Sequence, residues 1–334
     1  MLEVIIAAVI LISLVFYALL GGADFGGGMW DLLASGKRAE RQQNAIAEAI
    51  GPIWEANHVW LILVIVLLFT AFPPAFSAMM TALHIPITAM LFGIVLRGST
   101  FVFRKYDSKR DAVQRRWSTI FGISSLFTPF FQGLTLGALT SGKMRFVQGH
   151  VATGFFAGWT SPFAFTCGLF ALALFAFLAA TYLTVDTSDD SEIQNDFRMR
   201  ALWAEVALVP LAIVVFFTSK HGAPSMYAGL TNWWAPILLC WTGLSAITAT
   251  IALWLRKFQL ARIAAIGQVT FILVGWALAQ FPNLVTPDIT VYNSAAPEVT
   301  LQLLISALGL GAVILLPSLA YLFFMFKGVK PERN

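Results

Sequence analysis

An all-α, polytopic membrane protein of about nine transmembrane helices is the fold class this sequence predicts. Three observations carry it. The chain is 58% hydrophobic and only 11% charged, where a soluble protein carries about 25% charged residues. Its mean hydropathy is +0.79. Its apolar runs also approach the roughly 20 residues that a helix needs to cross a bilayer. The net charge of +4 does not imply nucleic-acid binding, because the cations flank the apolar runs as membrane topology requires. Cys167 and Cys240 both lie inside apolar runs, which excludes a disulfide framework and a cysteine-based metal site.

The predicted spans, in order, are 2–20 with an extension towards Trp30, then 59–72, 76–101, 118–140, 152–183, 201–218, 234–255, 261–281 and 301–326. The first lacks the basic n-region and small-residue cleavage site of a signal peptide, so it is read as a retained helix. The second is short unless it begins near Trp54, a register that puts Glu55 in its first turn. Between these two, residues 39–50 (AERQQNAIAEAI) have helical periodicity with one weak apolar face, as expected of a helix lying along the interface. The connectors are short, so the expectation is a single integral membrane domain over 1–334. Two four-helix bundles (1–140 and 150–281) and a peripheral helix (301–326) would suit this count.

Orientation follows from the cations. Lys37, Arg38, Arg41, Arg104, Lys105, Lys109, Arg110, Arg115, Arg116, Arg198, Arg200, Arg256, Lys257, Arg262, Lys327, Lys330 and Arg333 all fall in connectors on one side, about 17 in number. Only Lys143, Arg145 and Lys220 fall on the other. The expected topology has the N-terminus outside and the C-terminus cytoplasmic. Arg97 is left over, inside the third span.

The chemistry-bearing residues cluster at the ends of the first spans. Gly21-Gly22-Ala23-Asp24-Phe25-Gly26-Gly27-Gly28-Met29-Trp30 places a carboxylate among five glycines at the end of an apolar run. Gly51-Pro52-Ile53-Trp54-Glu55-Ala56-Asn57-His58-Val59-Trp60-Leu61 places a second at the start of the next. Acidic groups at such depths mark ion or proton paths, and folding back would bring Asp24 and Glu55 to one mouth. Glu55 and His58, three apart on a helix, would share a face as relay partners, with Asn57 beside them. Both carboxyls are expected to be partly desolvated. The plainer reading is an Asp24–Arg97 ion pair that holds two helices in register, beside an interfacial tryptophan belt. The glycines would let helices approach closely or let the helix loosen. Thr128, Gln132 and Thr135 line one face of the fourth span, and Glu205 is a weaker candidate for the path.

Histidine spacing does not support haem or metal ligation by this chain. The four are His58, His84, His150 and His221, with no HxxxH, CxxC or CxxCH pattern. His84 is expected to be a buried residue with a satisfied side chain. No phosphate loop or nucleotide fingerprint occurs, since GADFGGG follows no strand.

The motifs GGADFGGGMW, GPIWEANHVWL and LRGSTFVFRK resemble subunit II of cytochrome bd-type quinol oxidases, and length and span count agree over the whole chain. The resemblance implies a heterodimer with a larger subunit I that carries two b-type haems, one d-type haem and the quinol-oxidising site. It also allows a small single-span accessory subunit, with lipid and quinone as further partners. It implies oxygen reduction to water with build-up of a proton gradient, in a bacterial inner membrane or, in a photosynthetic host, a thylakoid membrane. It places Glu55 where a family carboxylate is proposed to line a proton entry route, and it matches Asp24 to a family Asp. Two rivals stay open: a stand-alone ion-coupled secondary transporter built around a broken first helix, and a purely structural membrane subunit.

Overall fold

The computed structural model describes residues 1–51, 54–106, 111–147 and 150–325. Helix α1 (Leu2–Leu32) is followed by a 3-10 turn, α2 (Ala39–Ile50), α3 (Trp54–Asn57), α4 (Val59–Ala71), α5 (Pro73–Ala82), α6 (His84–Tyr106) and α7 (Asp111–Thr140). A hairpin of β1 (Phe146–Val147) and β2 (His150–Val151) precedes α8 (Pro162–Asp186), α9 (Ser191–Gly222), α10 (Pro224–Leu230), α11 (Ala235–Trp254) and α12 (Phe258–Gln280). A second hairpin, β3 (Asn283–Val285) and β4 (Ile289–Thr290), leads to α13 (Glu298–Phe323). Among the described residues, eight helices are long and apolar enough to cross a membrane, or nine if Gly36–Ile50 and Glu55–Ala71 form one bent span.

Two spans depart from the sequence expectation, the fifth because α8 begins only at Pro162, ten residues after the expected start, and the third because it is interrupted. The second keeps its expected register, since α3 begins at Trp54 with Glu55 in its first turn and α4 adds 13 residues, about 20 Å at 1.5 Å per residue. The stretch expected as one helix from residue 76 is interrupted at Leu83 and restarts at His84. Pro86 supplies the reason, because it has no N–H to give the carbonyl of Ala82 and so belongs in a first turn. His84 is therefore not a buried mid-span residue. It is exposed, with Nδ1 2.9 Å from the Thr81 carbonyl and its ring edge-on to Phe155.

Helix α1 runs unbroken through its glycines to Leu32. They serve close approach: a Cβ on Gly26 would lie 2.0 Å from the Phe175 carbonyl oxygen of α8, and one on Gly28 would lie 2.1 Å from Ser125 Oγ of α7. With its backbone against both neighbours, α1 packs on α4, α7, α8 and α12. The largest core is accordingly continuous across the chain, from Tyr17 and Phe25 through Phe177 to Leu253 and Val269. Helix α2 buries Gln42, Ile46 and Ile50 along one stripe. Helix α13, by contrast, leaves Leu303, Leu310, Val313 and Ile314 exposed.

The connectors meet at two ends of different character. At one, Arg38 forms a two-pronged pair with Asp196 and Arg41 binds Asp190 and Glu192. There also Arg198 donates to the Leu253 carbonyl, and Arg262 stands 3.9 Å from Asp186. At the other, Arg145 pairs with Asp288, Thr286 N–H donates to Leu139 and Ala296 N–H to Ala71.

Candidate functional site

Asp24 lies on α1, 4% exposed, and faces the turn α3 rather than water. The Asn57 side-chain amide donates to its Oδ2 at 2.5 Å. Asn57 is fully buried. Its own Oδ1 has no hydrogen-bond partner among the described residues. The turn explains why Asn57, and not Glu55, reaches Asp24. At about 100° per residue, side chains two apart point to nearly opposite sides of a helix. Glu55 is exposed as a result, where the sequence suggested partial burial.

His58 sits at the break between α3 and α4, half-buried, with its ring 6.2 Å from that of Tyr17 and 6.1 Å from that of Phe25. Its main-chain N–H donates to the Glu55 carbonyl at 3.2 Å and its backbone stays helical, so Glu55 and His58 keep the spacing of one helical face, Glu55 exposed and His58 half-buried. Trp60 faces inward, stacked on Phe16 at 4.5 Å.

Arg97, on α6, is 2% exposed. Its guanidinium lies over the rings of Phe25 at 4.8 Å and Phe121 at 5.2 Å. Cation–π attraction of this kind is strongest where water is excluded. Nε and one terminal nitrogen of Arg97 have no hydrogen-bond partner among the described residues. Its charge acts on Asp24 and Tyr17. Gly93, one turn earlier on α6, lets the helix sit against Thr128, whose Oγ1 would be 2.2 Å from an added Cβ. The fold thus gathers Asp24, Asn57, His58 and Arg97 around Phe25, and leaves Glu55 at the rim.

Sequence reasoning missed Tyr17. It is buried, and its hydroxyl accepts a 2.7 Å hydrogen bond from Gln132 of α7. The signal was present, because Tyr17 precedes Asp24 by seven residues and therefore shares its helical face. Thr128 satisfies itself on the Ser124 carbonyl. Thr135 Oγ1 is buried without a partner among the described residues.

These features define a polytopic helical membrane protein with an acid–base cluster buried among its first helices. The chain belongs to the cytochrome bd terminal oxidase subunit II family, whose model matches residues 2–326. It is therefore a subunit of an oxidoreductase complex. It is 24% identical to the Bacillus subtilis (strain 168) "Putative cytochrome bd menaquinol oxidase subunit II" over 97% of this chain and 95% of that one. It is 26% identical to the Escherichia coli (strain K12) cytochrome bd-I ubiquinol oxidase subunit 2 over 60% of this chain and 52% of that one. The fold matches a chain of the bd oxidase structure from Geobacillus thermodenitrificans with a TM-score of 0.82, at 23% identity, covering 98% and 99% of the two chains.

Proposed function

We propose that this chain is the subunit of a quinol-oxidising, oxygen-reducing complex that supports assembly of the haem-bearing subunit I and conducts cytoplasmic protons towards it. The observation that carries this reading is Asp24, a carboxylate 4% exposed on a transmembrane helix, hydrogen-bonded to Asn57 and within the field of Arg97. A carboxyl at such a depth binds and releases protons where a neutral helix cannot. Glu55 at the rim collects protons, Asn57 orients the Asp24 carboxyl, and His58 stands between Tyr17 and Phe25 as a further exchanging group. Arg97 stabilises the charged form and keeps α1 and α6 in register. Oxygen reduction consumes protons, so an inward-facing file of this kind matches the family's chemistry.

The family implies haem in the complex. The histidines of this chain do not fit haem ligation: His58 is wedged between two rings, His84 sits at a helix break, and His150 and His221 are exposed. Two b-type haems, one d-type haem and the quinol site are assigned to subunit I, and no step here passes through them. The basic end that gathers Arg38, Arg41, Arg198 and Arg262 is assigned to the cytoplasm by the positive-inside rule, in a bacterial inner membrane. The C-terminal cations Lys327, Lys330 and Arg333 lie outside the described residues. A structural ion-pair role for Asp24 and Arg97 alone is the competing reading, favoured by the complete burial of Arg97. The transporter reading loses its main support, because α1 is continuous across its glycines.

The test uses the assembled complex with its haem spectrum as the control for integrity. Asp24→Asn and Glu55→Gln each keep size and hydrogen-bonding capacity but cannot release a proton. Each is expected to slow oxygen consumption about tenfold or more, the scale of a lost proton-transfer group, while Glu55→Asp retains much of the rate and quinol binding is unchanged. Wild-type turnover in both fully assembled variants would remove the path and leave the structural role.

A further inference from the structure

A second buried carboxyl lies on the other side of the core and takes no part in the cluster around Asp24. Glu205 projects from α9 and Gln268 from α12, each 4% exposed. Each is the first polar side chain beyond the basic end on its helix. Arg200 is followed by Ala201, Leu202, Trp203 and Ala204 before Glu205, and Arg262 by five small or apolar residues before Gln268. At 1.5 Å per residue, both stand roughly 8–9 Å deeper than those arginines. The surroundings are apolar, with Ala204, Leu208, Ala264, Ala265 and Val269 in the same buried cluster.

One hydrogen bond joins the pair: Gln268 Nε2 donates to Glu205 Oε1 at 2.9 Å. Glu205 Oε2 and Gln268 Oε1 have no partner among the described residues. Both of these atoms are acceptors, so what the site lacks is a hydrogen. An ionised carboxylate would leave two acceptors and a full charge in an apolar helix interface, which is heavily disfavoured. A carboxylic acid supplies the missing donor. Its O–H can donate to Gln268 Oε1 while its carbonyl accepts from Gln268 Nε2, closing a reciprocal acid–amide pair between two planar groups of matching shape. A metal cation is a poor fit, because two side chains offer too few oxygens for ions that take six or more.

The titratable groups on the elements packed against the pair are Glu192, Asp196, Arg198, Arg200, Lys220 and His221 on α9, Arg262 on α12, Cys167, Tyr182 and Asp186 on α8, Tyr227 on α10, Cys240 on α11, and Glu3, Tyr17, Asp24 and Asp31 on α1. The influences on the Glu205 carboxyl are its burial and Gln268, with no charged neighbour among them. Arg262 is occupied over the Tyr182 ring at 4.8 Å and beside Asp186, and Arg200 by Gln42 and the Trp30 carbonyl.

We infer that Glu205 and Gln268 form a proton-binding site in which the carboxyl is held as the neutral acid and shares its proton with the amide. The site stands apart from the proposed path, so either assignment can fail without the other.

Infrared spectroscopy of the purified complex in lipid at neutral pH tests this, with the haem spectrum as the assembly control. Glu205→Gln should remove the carbonyl stretch of one protonated carboxylic acid per subunit. Gln268→Leu should keep that band but displace it, because the shared hydrogen bond is gone. A Glu205→Gln spectrum that loses carboxylate bands instead of an acid band overturns the assignment. So does an acid band left unmoved in Gln268→Leu, which also decides the matter should Glu205→Gln fail to assemble.

Discussion

Asp24 and Glu205 are equally shielded, each 4% exposed, yet the chain surrounds them in opposite ways. Asp24 has a buried cation in its field and an amide donating to it, in a cluster where Arg97, Asn57, His58 and Tyr17 meet around Phe25. Glu205 has a single amide and a wall of alanine, leucine and valine. The first arrangement stabilises charge inside the membrane, and the second makes charge unnecessary. Two acids at similar depth therefore belong to different chemistries, which burial alone does not reveal.

The comparison breaks most severely at Arg97. Arg97→Gln strips Asp24 of its counter-charge and empties the space between Phe25 and Phe121. Removing one member of a buried pair costs about 3–5 kcal/mol, so the expected outcome is little assembled complex by haem content. Adding Asp24→Asn should recover part of it, since the uncompensated charge is then gone. Full assembly in the single variant would show that Arg97 is not the partner Asp24 needs.

Gly26→Ala tests the close approach that holds α1 against α8 beside the Asp24 cluster. The added carbon meets a backbone carbonyl at 2.0 Å, which cannot swing aside as a side chain can. The expected loss is about 3 kcal/mol, the upper end for overpacking, read as a lowered thermal midpoint of the complex. Gln268→Leu, on the uncharged side, leaves one acid without its partner and should cost only about 1–3 kcal/mol. A loss as large as that of Arg97→Gln would mean that Glu205 carries charge after all.

The smallest effect is expected at the basic end. The Arg41 hydrogen bond holds the Asp190 carboxyl below the usual carboxylate range. The unfolded value is about 3.9, so this contribution is complete above roughly pH 4 and fades as acid carries the pH through the lower folded value. Arg41→Gln should therefore lower the thermal midpoint slightly near neutrality and narrow its gap to wild type in acid. An unchanged midpoint at both would show the pair to be a surface contact of no consequence.

Much of the fold could be read from residues alone, because a span is a composition as much as a shape. Uninterrupted apolar runs mark α8, α11 and α12 without any knowledge of packing. What hydropathy does not report is where a helix bends. The stop at Leu83 depends on one proline near the start of α6, and the separation of α3 from α4 at His58 has no compositional mark. What decides the site is rotation within the turn α3: Asn57, two residues on from Glu55, points the other way and takes the place at Asp24. The pairing of Glu205 with Gln268, 63 residues apart, was beyond reach for another reason. It depends on the rotation of two helices about their axes, which alanine-rich stretches such as those around both residues leave open.

The Arg145–Asp288 pair joins residues 143 apart and fastens the two hairpins at the end opposite the basic connectors. Thr286 and Ala296 add bonds to Leu139 and Ala71 at that end. Every one of these stitches needs residues beyond α12. A ribosome delivers them only after the helices up to α12 have been made, and chains of this size fold in stages as they emerge. This face of the protein is thus a seal set late in biosynthesis, and a chain truncated before β3 would carry Asp24, Glu55 and Glu205 while leaving that end unsewn.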